Sequence, residues 1–323
     1  MNDGPADPRA PLHPQVELLF GLMRAAAPAE RVLEATAMRA QMAGLAALLA
    51  AGAPPVGREH EIRIPAAAGA VRALVFHPPG EATGPRPILV YLHGGGFVIL
   101  SPESHARLAK ELCVATGAVV VSVDYRLAPE HRAPAALEDS LAAFRFVRAN
   151  AASLGGDASR VALGGDSAGG QLTAAVTLRL LAAGEAPPAA NAMLCPLTDL
   201  ALSLESDSAR RFGPGDPILD DQVMRFFVTS YAPDRASWAE PDLSPLRADL
   251  SGFPPTCVVV GGIDPLLDDG LRFAEKLTAA RRAVRLLRYD GMPHDFFLFP
   301  GLDAGAQAVA DVASFLRHAL GKA

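Results

Sequence analysis

The sequence is poor in cysteine, in basic residues and in long apolar runs, and each shortage excludes a class of protein. Three cysteines, Cys113, Cys195 and Cys257, are spread over 323 residues, so neither a disulfide framework nor a CxxC metal site is expected. The 29 lysines and arginines are outnumbered by 35 acids, which gives a net charge of −6 and argues against nucleic acid as a partner. The longest apolar stretch, at residues 42–53, is too short for a membrane span.

The N-terminal residues MNDGPADPRAPLHPQ also lack the basic region and the apolar core of a signal peptide. An odd number of scattered cysteines is typical of buried thiols in a reducing compartment, so we expect a cytoplasmic protein. Half of all residues are hydrophobic and only 20% are charged. That composition supports a large buried core and excludes a disordered chain.

What the sequence does contain is a series of short, solidly apolar runs. PILVYL, AVVVSVD, RVALGG and TCVVVG are typical of buried parallel strands, and segments such as SHARLAKELCVAT, with helical spacing, lie between them. Before them, HEIRIP and VRALVFH alternate apolar with polar residues and predict an antiparallel pair. Strand and helix alternating in this order predict an α/β protein with a mostly parallel, doubly wound sheet.

Two segments interrupt this alternation and divide the chain into four predicted parts. Residues 1–55 contain two amphipathic helices, and residues 199–245 contain loops and one helix. The predicted core consists of residues 56–198 and residues 246–323. Because ligands bind at the carboxyl ends of the strands in open α/β sheets, we expect the two interrupting segments to form a helical cap over that edge.

The most informative motif is GDSAGG, from Gly165 to Gly170, which follows an apolar strand and precedes a helix. A G-x-S-x-G turn in that position holds its serine in a strained backbone that only small neighbours permit. The hydroxyl then stands clear at the positive end of the helix. A glycine-rich turn without chemistry is the alternative, but the flanking strand and helix favour Ser167 as a nucleophile.

A serine nucleophile needs a base, and the base needs an orienting acid. In a doubly wound hydrolase these follow the serine in the order acid, histidine, at the ends of later strands. Asp264 follows TCVVVGGI, and His294 follows the last strand-like run, VRLLRYD. Asp268 and Asp269 stand where the next helix begins and are better explained as N-terminal caps. We therefore predict Asp264 as the acid and His294 as the base.

Acyl transfer also requires N–H donors for the oxyanion. The HGGG segment that starts at His93 follows the strand PILVYL, and consecutive glycines allow backbone N–H groups to point into a site. The N–H group of Ala168, next to the serine, is a further donor. HGGG lacks the G-x-x-x-x-G-K-[ST] pattern of a phosphate loop and does not open a helix, so a nucleotide-dependent enzyme is disfavoured.

Five motifs occur together in one order: HGGG at His93, YRLAPEH at Tyr125, GDSAGG at Gly165, DPLLD at Asp264 and PHDF at Pro293. From about His60 to the C-terminus, the chain thereby resembles the bacterial hormone-sensitive lipase-like (family IV) esterases of the α/β-hydrolase superfamily. The resemblance implies an α/β-hydrolase fold with an eight-stranded sheet, a two-part cap and, in many members, a homodimer.

The resemblance also implies roles for individual residues. The triad is Ser167, Asp264 and His294, and the oxyanion hole is formed by the N–H groups of Gly95, Gly96 and Ala168. His93 is implied to be structural, and the loops around the serine are implied to be braced by Tyr125, Arg126 and Glu130.

Two positions depart from the family pattern. Leu100 stands where the family usually has a glycine shortly after HGGG, and Asp295 stands where a glycine commonly follows the catalytic histidine. A carboxylate at that second position favours the imidazolium form of His294. Both departures bear on substrate preference and on the pH optimum.

These features predict a serine carboxylesterase that hydrolyses short- to medium-chain acyl esters through an acyl-enzyme. It would act on a small-molecule ester and need no metal or organic cofactor. An amidase, or a lactone or carbonate hydrolase, would use the same residues, and these alternatives stay open. A non-catalytic small-molecule receptor on the same fold is disfavoured because all three triad residues are present.

The slot for the acyl chain is expected to be apolar and to limit chain length. The residues predicted to line it follow the HGGG loop or stand at helical spacing in the cap, and they are Phe97, Val98, Leu100, Phe226, Phe227 and Tyr231. Packing of the cap onto the sheet is the alternative for each of them singly.

Overall fold

An eight-stranded sheet forms the centre of the protein. The computed structural model describes residues 12–26 and 32–321, and the strand order in the sheet is β1-β2-β4-β3-β5-β6-β7-β8. The strands are β1 Arg58–Ala66, β2 Gly69–His77, β3 Arg86–Leu92, β4 Val119–Asp124, β5 Gly156–Asp166, β6 Asn191–Leu194, β7 Thr256–Gly261 and β8 Val284–Tyr289. Strands β1, β2 and β4 pair antiparallel, and all the other pairs are parallel, which confirms the predicted fold class.

Helices lie between most of the strands and at both ends of the chain. Those of the described residues are α1 Pro14–Ala26, α2 Ala35–Leu49, α3 Ala106–Thr116, α4 Ala135–Ala149, α5 Ala168–Ala182, α6 Leu202–Glu205, α7 Asp207–Phe212, α8 Asp221–Tyr231, α9 Leu267–Ala279 and α10 Asp303–Leu320. None of the helices in the described ranges is both long and apolar enough to cross a membrane.

The strands are apolar throughout because both faces of the sheet are covered. Val90 and Leu92 of β3 belong to one buried cluster, while Leu89 and Tyr91 belong to the cluster on the opposite face. All four side chains are fully buried. Alternate residues of one strand are thus buried on opposite faces of the sheet. This explains why the sequence shows continuous apolar runs rather than an alternation of apolar and polar residues.

The segment between β6 and β7 contains more helix than the sequence indicated. The one helix expected within residues 199–245 is α8, and the two short helices α6 and α7 precede it. At the other end of the chain, two helices were expected within residues 1–55, and α1 and α2 lie there. Residues 1–11 and 27–31 of that predicted segment lie outside the described residues.

Helix α2 is attached to the loop that follows β3. The Nε atom of Arg39 donates to the Val98 carbonyl oxygen at 2.7 Å, and its Nη2 atom donates to the Ala128 carbonyl oxygen at 2.7 Å. The guanidinium also forms a bidentate ion pair with Glu130. One arginine therefore connects an N-terminal helix to the two loops named in the motifs HGGG and YRLAPEH.

The C-terminal end of β3 and the start of α5 approach closely. A Cβ atom on Gly169, in the first turn of α5, would clash with the backbone carbonyls of Leu92 and His93. We expect Gly169→Ala to lower the free energy of unfolding by about 3 kcal/mol or more, because the obstructing atoms are backbone and cannot rotate away. Urea unfolding followed by circular dichroism measures this change.

Gly44→Ala is the matched control. Gly44 lies in the exposed middle of α2, and a Cβ atom there meets nothing within 4 Å. Alanine is the better helix former, so this variant should be unchanged or more stable by about 0.5–1 kcal/mol. Equal stabilities for the two variants would contradict the close approach of β3 and α5.

Candidate active site

Ser167 occupies a strained turn between β5 and α5. Its backbone has φ 51° and ψ −116°, a conformation that costs a non-glycine residue about 1–3 kcal/mol. The turn is held from both sides, because the Ser167 N–H donates to the Leu194 carbonyl oxygen at 2.9 Å. Gly165 and Gly169 leave no room for a side chain beside Leu92. The hydroxyl is thereby presented at the N-terminus of α5, as the motif predicted.

The structure brings Ser167, His294 and Asp264 together in one hydrogen-bonded chain. The His294 Nε2 atom lies 3.0 Å from the Ser167 Oγ atom. Its Nδ1 atom lies 3.0 and 2.9 Å from the two carboxylate oxygens of Asp264. Since a carboxylate accepts, Nδ1 carries a proton and Nε2 faces the serine. This is the arrangement that a general base requires.

Asp268 and Asp269 do not contact the histidine, but they also do not cap α9 as expected. Asp268 Oδ2 accepts from the Ser208 N–H at 3.1 Å, and Asp269 Oδ1 accepts from the Thr198 and Asp199 N–H groups at 2.7 and 3.1 Å. Both therefore hold the segment that leads from β6 towards α7. Burial raises the pKa of Asp269 to about 8.

The glycines after β3 lie close to the turn that carries Ser167, and Gly96 lines the same cleft as the serine. Gly95 and Gly96 have φ 106° and 60°, values that a residue with a side chain rarely adopts. Within the described residues, the N–H groups of Gly95, Gly96 and Ala168 have no hydrogen-bond acceptor. Three unpaired donors beside a hydroxyl at a helix N-terminus are suited to binding an oxyanion.

The loop residues named by the family resemblance support this glycine segment. The Tyr125 hydroxyl donates to the His93 carbonyl oxygen at 2.7 Å, and the two rings stack with their centroids 4.3 Å apart. Burial lowers the pKa of His93 to about 4, so its ring is neutral. Arg126 pairs with the buried Asp139, and Glu130 binds Arg39.

A narrow, mostly apolar cleft, partly open to solvent, adjoins Ser167. Of the six residues predicted to line it, Phe97 and Phe227 do so. Gly96 of the expected oxyanion hole also lines it, and the lining residues that sequence reasoning missed are Leu197, Ser203, Leu219, Met224, Val228 and Leu266. Met224, Phe227 and Val228 stand at helical spacing on α8, and that spacing is the signal that identifies this face.

The other four predicted residues lie away from this lining. Tyr231 stacks on the Phe97 ring at 3.8 Å, Val98 is fully buried, and the Phe226 ring is tilted against that of Phe227 at 6.0 Å. Leu100 has φ 71°, the left-handed backbone for which glycine is suited and which costs leucine about 1–2 kcal/mol. The departure from the family pattern at Leu100 therefore strains the backbone of the loop and does not alter the lining of the cleft.

Asp166, between Gly165 and Ser167, anchors a polar network that the sequence did not predict. The Tyr91 hydroxyl donates to one carboxylate oxygen at 2.7 Å, and His105 Nε2 lies 3.1 Å from the other. All three side chains are fully buried. Burial disfavours a charged His105, but the Asp166 carboxylate outweighs that effect and raises the pKa of the imidazole. A buried pair of a carboxylate and an imidazole thus lies next to the serine.

The geometry agrees with the comparisons to known proteins. A family model for the α/β-hydrolase fold matches residues 89–298. The chain belongs to the α/β-hydrolase family. It is 40% identical over 239 residues to the carboxylesterase NlhH of Mycobacterium tuberculosis, an alignment that covers 72% of this chain and 74% of that protein. It is 39% identical over 210 residues to an ethyl acetate hydrolase of Pseudomonas putida, covering 64% of this chain and 65% of the relative.

Solved structures of bacterial and archaeal α/β-hydrolases superpose on nearly the whole chain. An α/β-hydrolase enzyme from the metagenome of Lake Arreo, Spain, is 36% identical, with a TM-score of 0.91 over 96% of this chain and 99% of that one. An esterase of Pyrobaculum calidifontis is 34% identical, with a TM-score of 0.87 over 95% and 99%. The resemblance to hormone-sensitive lipase-like esterases is confirmed.

Cys195 is the cysteine of this α/β-hydrolase that lies beside the triad. Its Sγ atom and ligand atoms of Asp264 and His294 lie within 4.8 Å of one another. However, burial raises the pKa of the Cys195 thiol well above its ordinary value, and the thiolate is the form that binds metals or attacks carbonyls. The side chains of Asp264 and His294 are already bonded to each other, so the three residues do not fit a metal site.

All three thiols should be inert in the native protein. Burial raises the pKa values of Cys113 and Cys257 to about 12. We expect iodoacetamide at pH 8 to label none of the three in an hour and to leave ester turnover unchanged. After denaturation, mass spectrometry should find all three labelled. Rapid labelling of the native protein with loss of turnover would contradict this reading of Cys195.

Proposed function

We propose that this protein is a serine carboxylesterase that hydrolyses short- to medium-chain acyl esters. The observation that carries the proposal is the hydrogen-bonded chain from Ser167 through His294 to Asp264, beside three unpaired N–H donors. The names of the relatives, a carboxylesterase and an ethyl acetate hydrolase, support an ester of small acid and alcohol groups as the substrate.

The proposed reaction follows from the roles that the geometry allows. The Ser167 Oγ atom attacks the ester carbonyl carbon, and its proton passes to His294 Nε2. The N–H groups of Gly95, Gly96 and Ala168 bind the developing oxyanion. The imidazolium, held by Asp264, then protonates the leaving alcohol. Water attacks the acyl-enzyme by the same sequence of proton transfers and releases the acid.

We assign residues 1–55 and 199–245 to the cap of the enzyme. Side chains of α8 line the cleft beside Ser167, and Arg39 of α2 holds the loop after the glycine segment. These contacts support a cap made of both segments, with the core in residues 56–198 and 246–323. The cap closes the side of the site that binds the acyl chain and limits the length of the chain that fits.

We further propose that the enzyme acts in the cytoplasm as a homodimer. Three free, buried cysteines support a reducing compartment. Strand β8 stands at an edge of the sheet, and its Leu286 side chain is 42% exposed, which supports pairing through that edge. Sedimentation equilibrium of the purified chain tests the dimer.

Ser167→Ala, His294→Ala and Asp264→Asn should each lower kcat/KM for p-nitrophenyl butyrate by about 10⁴-fold or more, because triad members act as a unit. Each fold should remain intact by circular dichroism. An organophosphate should label Ser167 and abolish turnover in the native enzyme.

The matched control for the acid is Asp268→Asn, which removes an equivalent carboxylate four residues away that contacts Ser208 and not the histidine. It should keep most of the activity. A native protein that binds esters without releasing p-nitrophenol would instead support a receptor, and loss of activity in the Asp268 variant but not in the Asp264 variant would reverse the assignment of the acid.

The cleft should set an optimum acyl length. Each buried CH₂ contributes about 0.8 kcal/mol only while the slot has room for it, so kcat/KM should rise from acetate to about butyrate or hexanoate and then fall. Phe227→Ala removes a ring from the lining and should move the optimum to longer chains. Phe226→Ala removes a neighbouring ring that is outside the lining and should leave the profile unchanged. Equal profiles for both variants would disprove this assignment of the slot.

A further inference from the structure

The catalytic base is contacted by a second carboxylate on the side that faces the serine. The Oδ2 atom of Asp295 lies 3.2 Å from His294 Nε2, almost as close as the Ser167 Oγ atom at 3.0 Å. Asp264 occupies the other ring nitrogen. His294 is therefore flanked by carboxylates on both nitrogens, and the serine shares Nε2 with one of them.

Proton counting restricts the states of this arrangement. With Nδ1–H donated to Asp264, a neutral imidazole presents only a lone pair at Nε2. A carboxylate 3.2 Å from that lone pair is repelled by it, so the contact is attractive only when the pair carries one further proton. That proton resides either on Nε2, which makes an imidazolium, or on Asp295, which then donates to Nε2.

The remaining contacts of Asp295 do not relieve this requirement. Its side chain is buried, and its Oδ1 atom has no hydrogen-bond partner among the described residues. Burial raises the pKa of Asp295 above its ordinary value. Burial also disfavours the charged imidazole, yet Asp264 and Asp295 outweigh it and raise the pKa of His294 well above its ordinary value.

Ionisable groups on every neighbouring element interact electrostatically with Asp295, His294 or both. They are Tyr91 at the end of β3, His105 before α3, Asp166 at the end of β5, Cys195 after β6, Asp216 before α8 and Asp264 after β7. Asp166 is already compensated by His105 and Tyr91. The carboxylate that contacts the Nε2 atom of His294 is that of Asp295.

We propose that Asp295 is a positioning residue of the esterase. It holds the Nε2 proton of His294 and thereby sets the pH range in which the histidine acts as the general base towards the ester. The inference rests on the proposed function. At low pH, Asp295 stabilises the imidazolium and Nε2 cannot accept the serine proton. At higher pH Nε2 is free. When Oγ attacks, the Oγ–C bond forms, the carbonyl electron pair moves to oxygen and the proton passes to Nε2, where Asp295 accepts a hydrogen bond from it.

The pH profile of kcat/KM for a soluble p-nitrophenyl ester tests this assignment. The wild-type acid limb should have its midpoint above pH 6.5, the ordinary pKa of histidine. Asp295→Asn and Asp295→Gly should move that midpoint to lower pH by about 1 unit or more, because the nearby negative charge is removed. Both residues tolerate the left-handed backbone of Asp295, which has φ 47°.

Asp290→Asn is the control, because it removes a carboxylate from the same loop that is 51% exposed and paired with Arg288. Solvent screens that charge, so the acid limb should stay in place. The proposal is overturned if the Asp295 variants, folded by circular dichroism, keep the wild-type midpoint, or if the Asp290 variant moves as far. A wild-type midpoint at or below pH 6.5 would overturn it as well, whether or not the variants fold.

The rate of Ser167 labelling by an organophosphate, measured by mass spectrometry over the same pH range, distinguishes a failure of the role of Asp295 from a failure of the proposed function. Labelling needs an activated serine but no ester turnover. If the protein is labelled with the expected shift yet hydrolyses no ester, the proposed function fails and the role of Asp295 stands. If ester hydrolysis is normal and neither profile shifts, the role of Asp295 fails alone. If no labelling occurs at any pH, both are overturned.

Discussion

The close packing of the end of β3 against the turn that carries Ser167 is the constraint on which the site depends. The Leu92 carbonyl lies against both Gly165 and Gly169, with no space for a Cβ atom on either. The chain leaves Leu92 directly into the glycine segment. The same contact therefore fixes the serine in its strained conformation and brings the glycine segment, whose N–H groups we propose as oxyanion donors, close to it. Catalytic geometry here is a consequence of backbone packing, which small residues alone permit.

The central strands, and the meeting of Ser167, Asp264 and His294 at one place, could be predicted from the sequence because each has a signal that is local in the chain. Continuous apolar runs identify strands that are buried on both faces, and β3 and β4 have such runs. Ser167 and Asp264 follow such runs, and His294 follows the less apolar strand β8. Each residue comes after a strand, so their order predicts them at one edge of the sheet. Strand β6 has only four residues, NAML, without β-branched side chains, and no local signal marks it.

Contacts between distant segments could not be predicted in this way. The Tyr91, His105 and Asp166 network joins three elements, and nothing in the residue types states that their side chains meet. The left-handed backbone of Leu100 is likewise invisible in a sequence that has leucine there. The departure at Leu100 left open a change in the floor of the site or in the path of the loop, and the structure has left-handed backbone there, with the side chain outside the cleft lining. Side-chain direction depends on tertiary packing, and spacing along the chain does not determine it.

The buried carboxylates beneath the cleft show how one chain keeps several charges in its core. Asp166 is compensated by a histidine and a tyrosine, and Asp264 by His294 and the Leu266 N–H. Asp295 has no partner of its own in this part of the structure and relies on the same imidazole as Asp264. Burying a charge without a partner costs several kcal/mol. A further proton on the Asp295–His294 pair neutralises one of these charges, so the stability of the site depends on its protonation state.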